Sequence, residues 1–174
     1  MMDHFKQTLK KYYILTFQYI KREVEILKKL GMGNYRHFCK LIDWRLDNKQ
    51  DYNYLIMQLG GKSLRNLRLN CRTDGRFSLY FSLAVGYQIL QALHDLHEAG
   101  FVHIDIKPDN VLYSLDQQGL LESIHLIDFS LSRKYIDKNG NIKPPKFDPG
   151  FHGTVMYMSL NAHKYMRSGL GMTI

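Results

Sequence analysis

The sequence contains little cysteine and little proline, and it has no long hydrophobic run. Its two cysteines, Cys39 and Cys71, lie far apart and form no Cys-x-x-Cys pair, which argues against a disulfide scaffold or a structural zinc site. Four prolines and 13 glycines exclude collagen-like and proline-rich low-complexity chains. No stretch reaches the roughly 18 consecutive apolar residues of a membrane span. We therefore expect a reducing compartment, the cytoplasm or alternatively the nucleus, and no membrane partner.

Aromatic and apolar residues are abundant, and they indicate a folded chain. The 174 residues are 45% hydrophobic and 13% aromatic, which excludes a solvated, disordered protein. This length suits one domain or one large piece of a bigger domain. The net charge of +8 allows a nucleic acid, an acidic membrane surface or an acidic substrate as partner. Because the basic residues occur in short, separated groups, we expect a solvated cationic surface and no nucleic-acid partner.

Two amphipathic helices are indicated by apolar residues at spacings of three and four. The first covers residues 17–30, and Gly31 is predicted to end it in a left-handed cap. The second covers residues 79–99 and ends at Gly100. Its apolar stripe consists of Leu83, Tyr87, Leu90, Leu93 and Leu96.

Short strands and one further helix are predicted around these two helices. Residues 38–46 and 52–59 are apolar runs that flank a polar turn, which indicates an antiparallel pair. Ser63 is the predicted N-cap of a short helix that ends at Leu69. Further strand-like runs follow Gly100, at residues 101–102, 111–113 and 124–127. The mixture indicates an α+β fold.

The most informative part of the sequence is a polar loop after the second helix. Residues 103–110 have the sequence HIDIKPDN, and the triplet DFS at residues 128–130 begins 18 residues after Asn110. These two segments resemble the catalytic loop H-R-D-L-x-x-x-N and the D-F-G motif of protein kinases. The alternative is that Asp105 and Asp128 are only turn residues after short strands.

The kinase resemblance implies a role for each polar residue of the two motifs. Asp105 would orient the substrate hydroxyl and accept its proton, and Lys107 would place a cation near the moving phosphoryl group. Asn110 and Asp128 would supply oxygen ligands to Mg²⁺ that bridges the phosphates of ATP. The implied cofactors are therefore ATP and Mg²⁺. His103 would pack beneath the loop and hydrogen-bond its backbone.

Four further segments resemble the casein kinase I group, which includes the tau-tubulin kinases. The resemblance runs from residue 20 to about residue 169, and its segments are residues 22–30, 54–61, 126–135 and 151–163.

The resemblance to this group implies further roles in the site. Glu23 would pair with the ATP-positioning lysine, and Met57 would be the gatekeeper. The backbone of Gln58, Leu59 and Gly60 would contact adenine. Thr154 would support Asp105 and Lys107, as in serine/threonine kinases.

The sequence departs from the kinase pattern at its start and within both motifs. No G-x-G-x-x-G loop occurs, and residues 1–19 contain no recognisable Val-Ala-x-Lys strand, so neither Lys10 nor Lys11 is assigned as the partner of Glu23. Ile104 replaces the arginine of the catalytic loop, which removes the charge that reads activation-loop phosphorylation. Ser130 replaces the glycine of the D-F-G motif, and we expect a positive φ at this position to cost more conformational energy for serine than for glycine.

The sequence therefore predicts part of a protein-kinase-like, α+β fold. A divergent segment at residues 1–19 precedes a partial N-lobe at 20–59, with one helix and two or three strands, and a partial C-lobe at 60–174. The chain ends at Ile174, and we expect the helices that cover the apolar stripe of the second helix to be absent. A fragment, a truncated gene model and a degenerate pseudokinase all fit this pattern.

The predicted function is ATP-dependent phosphoryl transfer to serine or threonine of protein substrates. The alternatives are an inactive kinase-fold module that binds a protein and, from the net charge alone, a nucleic-acid binder. Arg65, Arg68 and Arg72 would either receive an acidic or phosphorylated substrate or form a solvated helix face. His94 and His97 have a spacing that allows zinc, without a third ligand nearby in the sequence. The sequence does not indicate an oligomeric state.

Overall fold

A computed structural model gives the fold of residues 7–10, 17–33, 35–47, 53–71, 75–144 and 153–163. Helices and small antiparallel sheets both occur in these ranges, and the strands come in runs, as expected for an α+β fold. The elements are β1 (Gln7–Lys10), α1 (Phe17–Met32), β2 (Leu41–Arg45), β3 (Tyr54–Gln58), β4 (Lys62–Ser63), α2 (Leu64–Leu69), α3 (Leu79–Glu98), β5 (Phe101–Val102), β6 (Val111–Leu115), β7 (Leu121–Leu126) and β8 (Arg133–Lys134).

The first part of the chain folds as a three-stranded antiparallel sheet with α1 beside it. The strand order is β1-β3-β2, so the predicted pair of β2 and β3 is confirmed. Alternation along β3 buries Leu55 and Met57, while Tyr54 and Ile56, which alternate with them, are partly exposed. The core face of α1 is fully apolar except for Glu23 and consists of Ile20, Val24, Ile26, Leu27 and Leu30.

Two expectations about this first part are corrected by the structure. Gly31 does not form a left-handed cap, because it lies inside α1 and the helix ends at Met32. The last turn instead tightens, with Gly33 N donating to Leu30 O at 3.1 Å. The second correction concerns β1, which pairs with β3 where no recognisable strand was predicted. The sheet therefore extends to Gln7, beyond the predicted lobe boundary at residue 20.

The rest of the described chain carries the polar loops on small sheets and one long helix. Ser63 caps α2, with its Oγ accepting from Asn66 N at 3.2 Å, as predicted. Gly100 follows α3 with φ of 85°, which confirms that helix end. Strands β4, β6 and β7 form one antiparallel sheet, and β5 pairs with β8.

The long helix α3 buries only part of its apolar surface. Its buried residues are Val85, Ala92 and Leu96. The outer part of the predicted stripe is open, with Leu83, Tyr87 and Leu90 exposed by 64%, 65% and 67%. The prediction of an uncovered stripe is therefore confirmed only for these three residues within the part of the chain that the structure describes, because Leu93 is partly buried and Leu96 is 0% exposed. No described helix is both long and apolar enough to cross a membrane.

Candidate active site

His103 joins the two polar loops from beneath. It follows β5 and is 2% exposed. Its Nδ1 accepts from Asp105 N at 3.3 Å, so its Nε2 carries the proton and donates to Ile127 O at 3.1 Å. Burial lowers the pKa of His103 and favours this neutral form. The imidazole therefore connects the backbone of the loop to the residue that precedes Asp128.

Asp105 lies at the centre of a compact hydrogen-bonded group. Lys107 Nζ lies 2.5 Å from Asp105 Oδ2 and 2.9 Å from Thr154 Oγ1, and Thr154 Oγ1 donates to Asp105 Oδ1 at 2.7 Å. Asn110 Nδ2 donates to Asp105 O at 2.9 Å and is 3.3 Å from Oδ2. The structure thus brings together the four residues to which the sequence assigned catalytic roles.

The electrostatic surroundings keep Asp105 ionised. Burial alone raises the pKa of this carboxyl group, but the hydrogen bonds from Lys107 and Thr154 outweigh burial and hold the pKa below its ordinary value of 3.8. The side chain of Asp105 is only 7% exposed, and that of Lys107 is 21% exposed. A buried, oriented carboxylate beside a partly accessible ammonium can accept a proton from a hydroxyl and offset negative charge next to it.

Asn110 and Asp128 lie on neighbouring segments. Ile127 N donates to Asn110 O at 3.0 Å, which places the residue before Asp128 against Asn110. Because Asn110 Nδ2 donates to Asp105, its amide oxygen remains the atom with ligand chemistry. One carboxylate and one amide oxygen suit Mg²⁺, which takes its remaining ligands from water and phosphate. The donor set at these two residues therefore fits the cation.

The possible zinc site at His94 and His97, on α3, has less support than the Mg²⁺ site at Asn110 and Asp128. No group of three or more His, Cys, Asp or Glu that could hold a metal occurs among the described residues. His94 Nδ1 lies 3.6 Å from Asp95 Oδ1. The ring of His97 packs edge-on against that of Tyr135, with 6.4 Å between the ring centroids. The zinc alternative therefore finds no third ligand in the described chain.

The predicted nucleotide-binding residues lie on the other sheet and on α1. Glu23 is 1% exposed, and Met57 is 4% exposed. The chain leaves β3 through Gln58 and Leu59, which are exposed. Gln58 N already donates to Lys40 O at 2.8 Å, so an adenine ring would have to use other backbone groups of this segment.

Two contacts at the site were not predicted from the sequence. Arg22 on α1 donates from Nη1 to Ser130 O at 2.9 Å, across 108 residues of sequence. Ser130 Oγ donates to Asp128 Oδ1 at 2.7 Å. The first contact has no local signal in the sequence, whereas the second was signalled by the departure from Asp-Phe-Gly.

Positive φ angles occur beside the two motifs, but not at Ser130, where the sequence predicted one. Ser130 does not have a positive φ, which corrects the expectation drawn from its replacement of glycine. Among the described non-glycine residues, only Ile104 and Asp128 have positive φ, at 75° and 68°.

The arrangement is that of a protein kinase: a sheet with one helix, a connecting segment, a long helix, and then a His-x-Asp loop beside an Asp-Phe-x turn. Residues 4–165 match the family described as protein kinase domain. The chain belongs to this family. The match begins at residue 4, before the start of the predicted resemblance at residue 20.

Three similar curated proteins have the names of protein kinases. A Dictyostelium discoideum protein named as a probable serine/threonine-protein kinase is 38% identical over 84% of this chain and 28% of its own length. The Caenorhabditis elegans serine/threonine-protein kinase spe-6 is 35% identical, over 66% of this chain and 29% of its own length. A C. elegans protein whose name includes casein kinase I is 34% identical over 65% of this chain and 33% of its own length. The chain therefore spans about a third of the length of these relatives.

Proposed function

We propose that the chain transfers the terminal phosphoryl group of ATP to serine or threonine of protein substrates, as a member of the casein kinase I group. The observation that carries this proposal is the closed group of Asp105, Lys107 and Thr154, whose three polar contacts measure 2.5, 2.7 and 2.9 Å. The family generally uses ATP and Mg²⁺ and acts on proteins. Residues 60–174 would carry the catalytic part of the domain.

Asp105 is the proton acceptor in the proposed reaction. Its low pKa leaves it ionised at neutral pH, and Thr154 fixes one of its oxygens while Lys107 contacts the other. A substrate hydroxyl that reaches this carboxylate is oriented toward the phosphoryl group and releases its proton there. Mg²⁺, when bound, would neutralise phosphate charge, and Asn110 and Asp128 would hold it.

Lys107 has a second role, since it offsets charge on the transferring group. Its ammonium is held between Asp105 and Thr154, so it stays in place while charge develops on phosphoryl oxygens.

A substrate with acidic or phosphorylated residues would meet Arg65 and Arg68 on α2. Arg65 is 3.3 Å from Asp109 and its side chain is 60% exposed, and Arg72 lies outside the described residues.

The assay for this function uses radiolabelled ATP, Mg²⁺ and an acidic protein such as casein. We expect incorporation into serine or threonine by the full chain, and a loss of at least about 100-fold in the Asp105→Asn and Asp128→Asn variants. Lys138→Gln, in the exposed turn after β8, serves as a charge-changing control with unchanged activity. Equal incorporation by the wild type and both Asp variants would contradict the proposal.

A second candidate is a non-catalytic kinase-fold module that binds a protein. The exposed row of Leu83, Tyr87 and Leu90 on α3 favours it. This candidate requires that Mg²⁺ and ATP do not raise the melting temperature of the chain. A rise that is lost in Asp128→Asn would exclude it and support phosphoryl transfer.

A further inference from the structure

One contact at the Asp128 turn is made by a side chain that the kinase motif does not contain. Ser130 stands where the motif D-F-G has glycine. Its hydroxyl donates to Asp128 Oδ1 at 2.7 Å, a short hydrogen bond to an ionisable acceptor. A glycine at this position has no side-chain donor for that oxygen.

Ser130 is itself fixed by contacts on both sides. Its carbonyl accepts from Arg22 Nη1 at 2.9 Å, which ties it to helix α1. The preceding residue, Phe129, is 1% exposed and packs against the rings of His103 at 5.3 Å and Phe38 at 5.9 Å. Ser132 N donates to Phe129 O at 3.0 Å and closes the turn. The hydroxyl of Ser130 is therefore presented to Asp128 from a backbone that is held in place.

We propose that Ser130 is a positioning residue for the divalent cation, and that Arg22 supports it from α1. The inference rests on the proposed function, because it takes Asp128 as a ligand of Mg²⁺. A carboxylate rotates about its terminal torsion over a broad range, so one hydrogen bond on Oδ1 selects an orientation and leaves Oδ2 to the cation. Groups that orient a metal ligand typically change metal affinity by about 10- to 100-fold when they are removed.

The Ser130 hydroxyl also has a second, weaker effect, which lowers the affinity of Asp128 for a cation. A donor on Oδ1 withdraws negative charge from the carboxylate and so reduces its attraction for a cation. Asp128 has a φ of 68°, a conformation that aspartate tolerates, and its carboxylate turns about the terminal torsion over a broad range unless a neighbour holds it. Because the Ser130 hydroxyl fixes that torsion, we expect orientation to be the larger effect, and removal of the hydroxyl to weaken binding.

The experiment measures cation binding rather than turnover. Mn²⁺ is the cation and ADP the nucleotide, and free Mn²⁺ is followed by electron paramagnetic resonance as the full chain is titrated. We expect Ser130→Ala to weaken Mn²⁺ binding by about 10-fold, and Ser130→Thr, which keeps the hydroxyl, to stay within about 2-fold of the wild type. Arg22→Gln should weaken binding by a smaller factor, about 3-fold, because the serine hydroxyl is still present.

A matched control lies elsewhere in the chain. Ser114 Oγ lies 3.3 Å from Glu122 Oε2 and 2.7 Å from Ser123 Oγ on the β6–β7 sheet, so Ser114→Ala removes hydroxyl hydrogen bonds, one of them to a carboxylate, away from Asp128. We expect this variant to bind Mn²⁺ like the wild type. Thermal unfolding of each variant shows whether it is folded under the conditions of the titration.

The possible results separate this inference from the proposed function. If the wild type binds Mn²⁺ with ADP and Ser130→Ala binds it equally well or more tightly, the positioning role is wrong and the kinase proposal stands. If the wild type does not bind Mn²⁺ with ADP, both proposals are wrong.

Discussion

Ile104 shows how a single residue can carry strain next to a catalytic loop. Its φ of 75° is unfavourable for a β-branched side chain and costs on the order of 1–2 kcal/mol. The conformation is imposed from both sides, because His103 Nε2 bonds to Ile127 O and His103 Nδ1 accepts from Asp105 N. The loop cannot relax at position 104 without breaking these contacts.

We expect Ile104→Asn to raise the free energy of unfolding by about 1 kcal/mol, because asparagine tolerates a positive φ. The half-buried Ile106, which has no positive φ, provides the control, and Ile106→Asn should lower the free energy of unfolding. Urea denaturation measures both changes. A loss of stability in Ile104→Asn as large as in Ile106→Asn would show that the strain is unimportant.

The pair of Asp105 and Lys107 links stability to pH. The folded pKa of Asp105 lies below 3.8, so its stabilising contribution is complete above the unfolded pKa and is lost as the pH falls through the folded pKa. Lys107→Met leaves the carboxylate without its cation and should cost about 2 kcal/mol at pH 7, less than for a fully buried pair because Lys107 is 21% exposed.

The cost of Lys107→Met should shrink as the pH falls toward 3.8 and below, because without Lys107 burial raises the pKa of Asp105 and the variant takes up this proton before the wild type does. The cost is fully lost only below the folded pKa of the wild type. Urea denaturation at pH 7 and at pH 3 measures this difference. In the Asp105→Asn background, Lys107→Met should cost much less at either pH. A cost that is the same at pH 7 and pH 3 would contradict the assigned ion pair.

Residue chemistry was predicted from the sequence where a motif carries it, including Thr154, which only the family resemblance placed beside Asp105, 49 positions away. Asp105, Lys107 and Asn110 lie within one loop, so a motif was enough to place them together. The contact of Arg22 with Ser130 joins residues 108 positions apart, and only the packing of α1 against the Asp128 turn creates it. No periodicity or motif in one sequence carries information about such a pair.

At the scale of elements, the helices were predictable from the sequence and one edge strand was not. The amphipathic spacing of α1 and α3 and the serine cap of α2 are local signals, and the structure has all three helices near the predicted bounds. Strand β1 has only four residues, and Leu9 is the one apolar residue among them, so the strand shows no apolar alternation. Its existence depends on the free edge of β3, which is a non-local partner.

The position of β1 leads to a prediction about nucleotide binding. β1 precedes α1, which carries the buried Glu23, and its last residue Lys10 pairs with Leu55 on β3. This is the order in which a kinase places its ATP-positioning lysine before the helix with the partner glutamate. We expect Lys10→Met to weaken binding of a fluorescent ATP analogue by about 10-fold, and Lys11→Met, the control, to leave it unchanged. An equal loss in both variants would assign the effect to net charge instead.

At the scale of the whole molecule, an exposed apolar surface favours association between copies of the chain, and the positive net charge opposes it. A net charge of +8 favours solubility through repulsion between copies. Against this, α3 presents a row of apolar side chains that are each more than 60% exposed: Leu79, Tyr80, Leu83, Tyr87 and Leu90. Contiguous exposed apolar patches of this kind mark contact surfaces or aggregation sites. Because charge repulsion is screened by salt and apolar attraction is not, salt decides the balance.

We therefore expect the chain to self-associate more strongly as NaCl is raised from about 50 mM to about 500 mM, where the Debye length falls from roughly 14 Å to roughly 4 Å. Sedimentation velocity measures the change. The double variant Leu83→Glu with Leu90→Glu should remain monomeric in both salts and keep its circular dichroism spectrum, since both side chains are already exposed. Leu120→Glu, a single exposed leucine in the turn between β6 and β7, is the matched control and should associate like the wild type. Association of the double variant to the same extent would place the contact surface elsewhere than on α3.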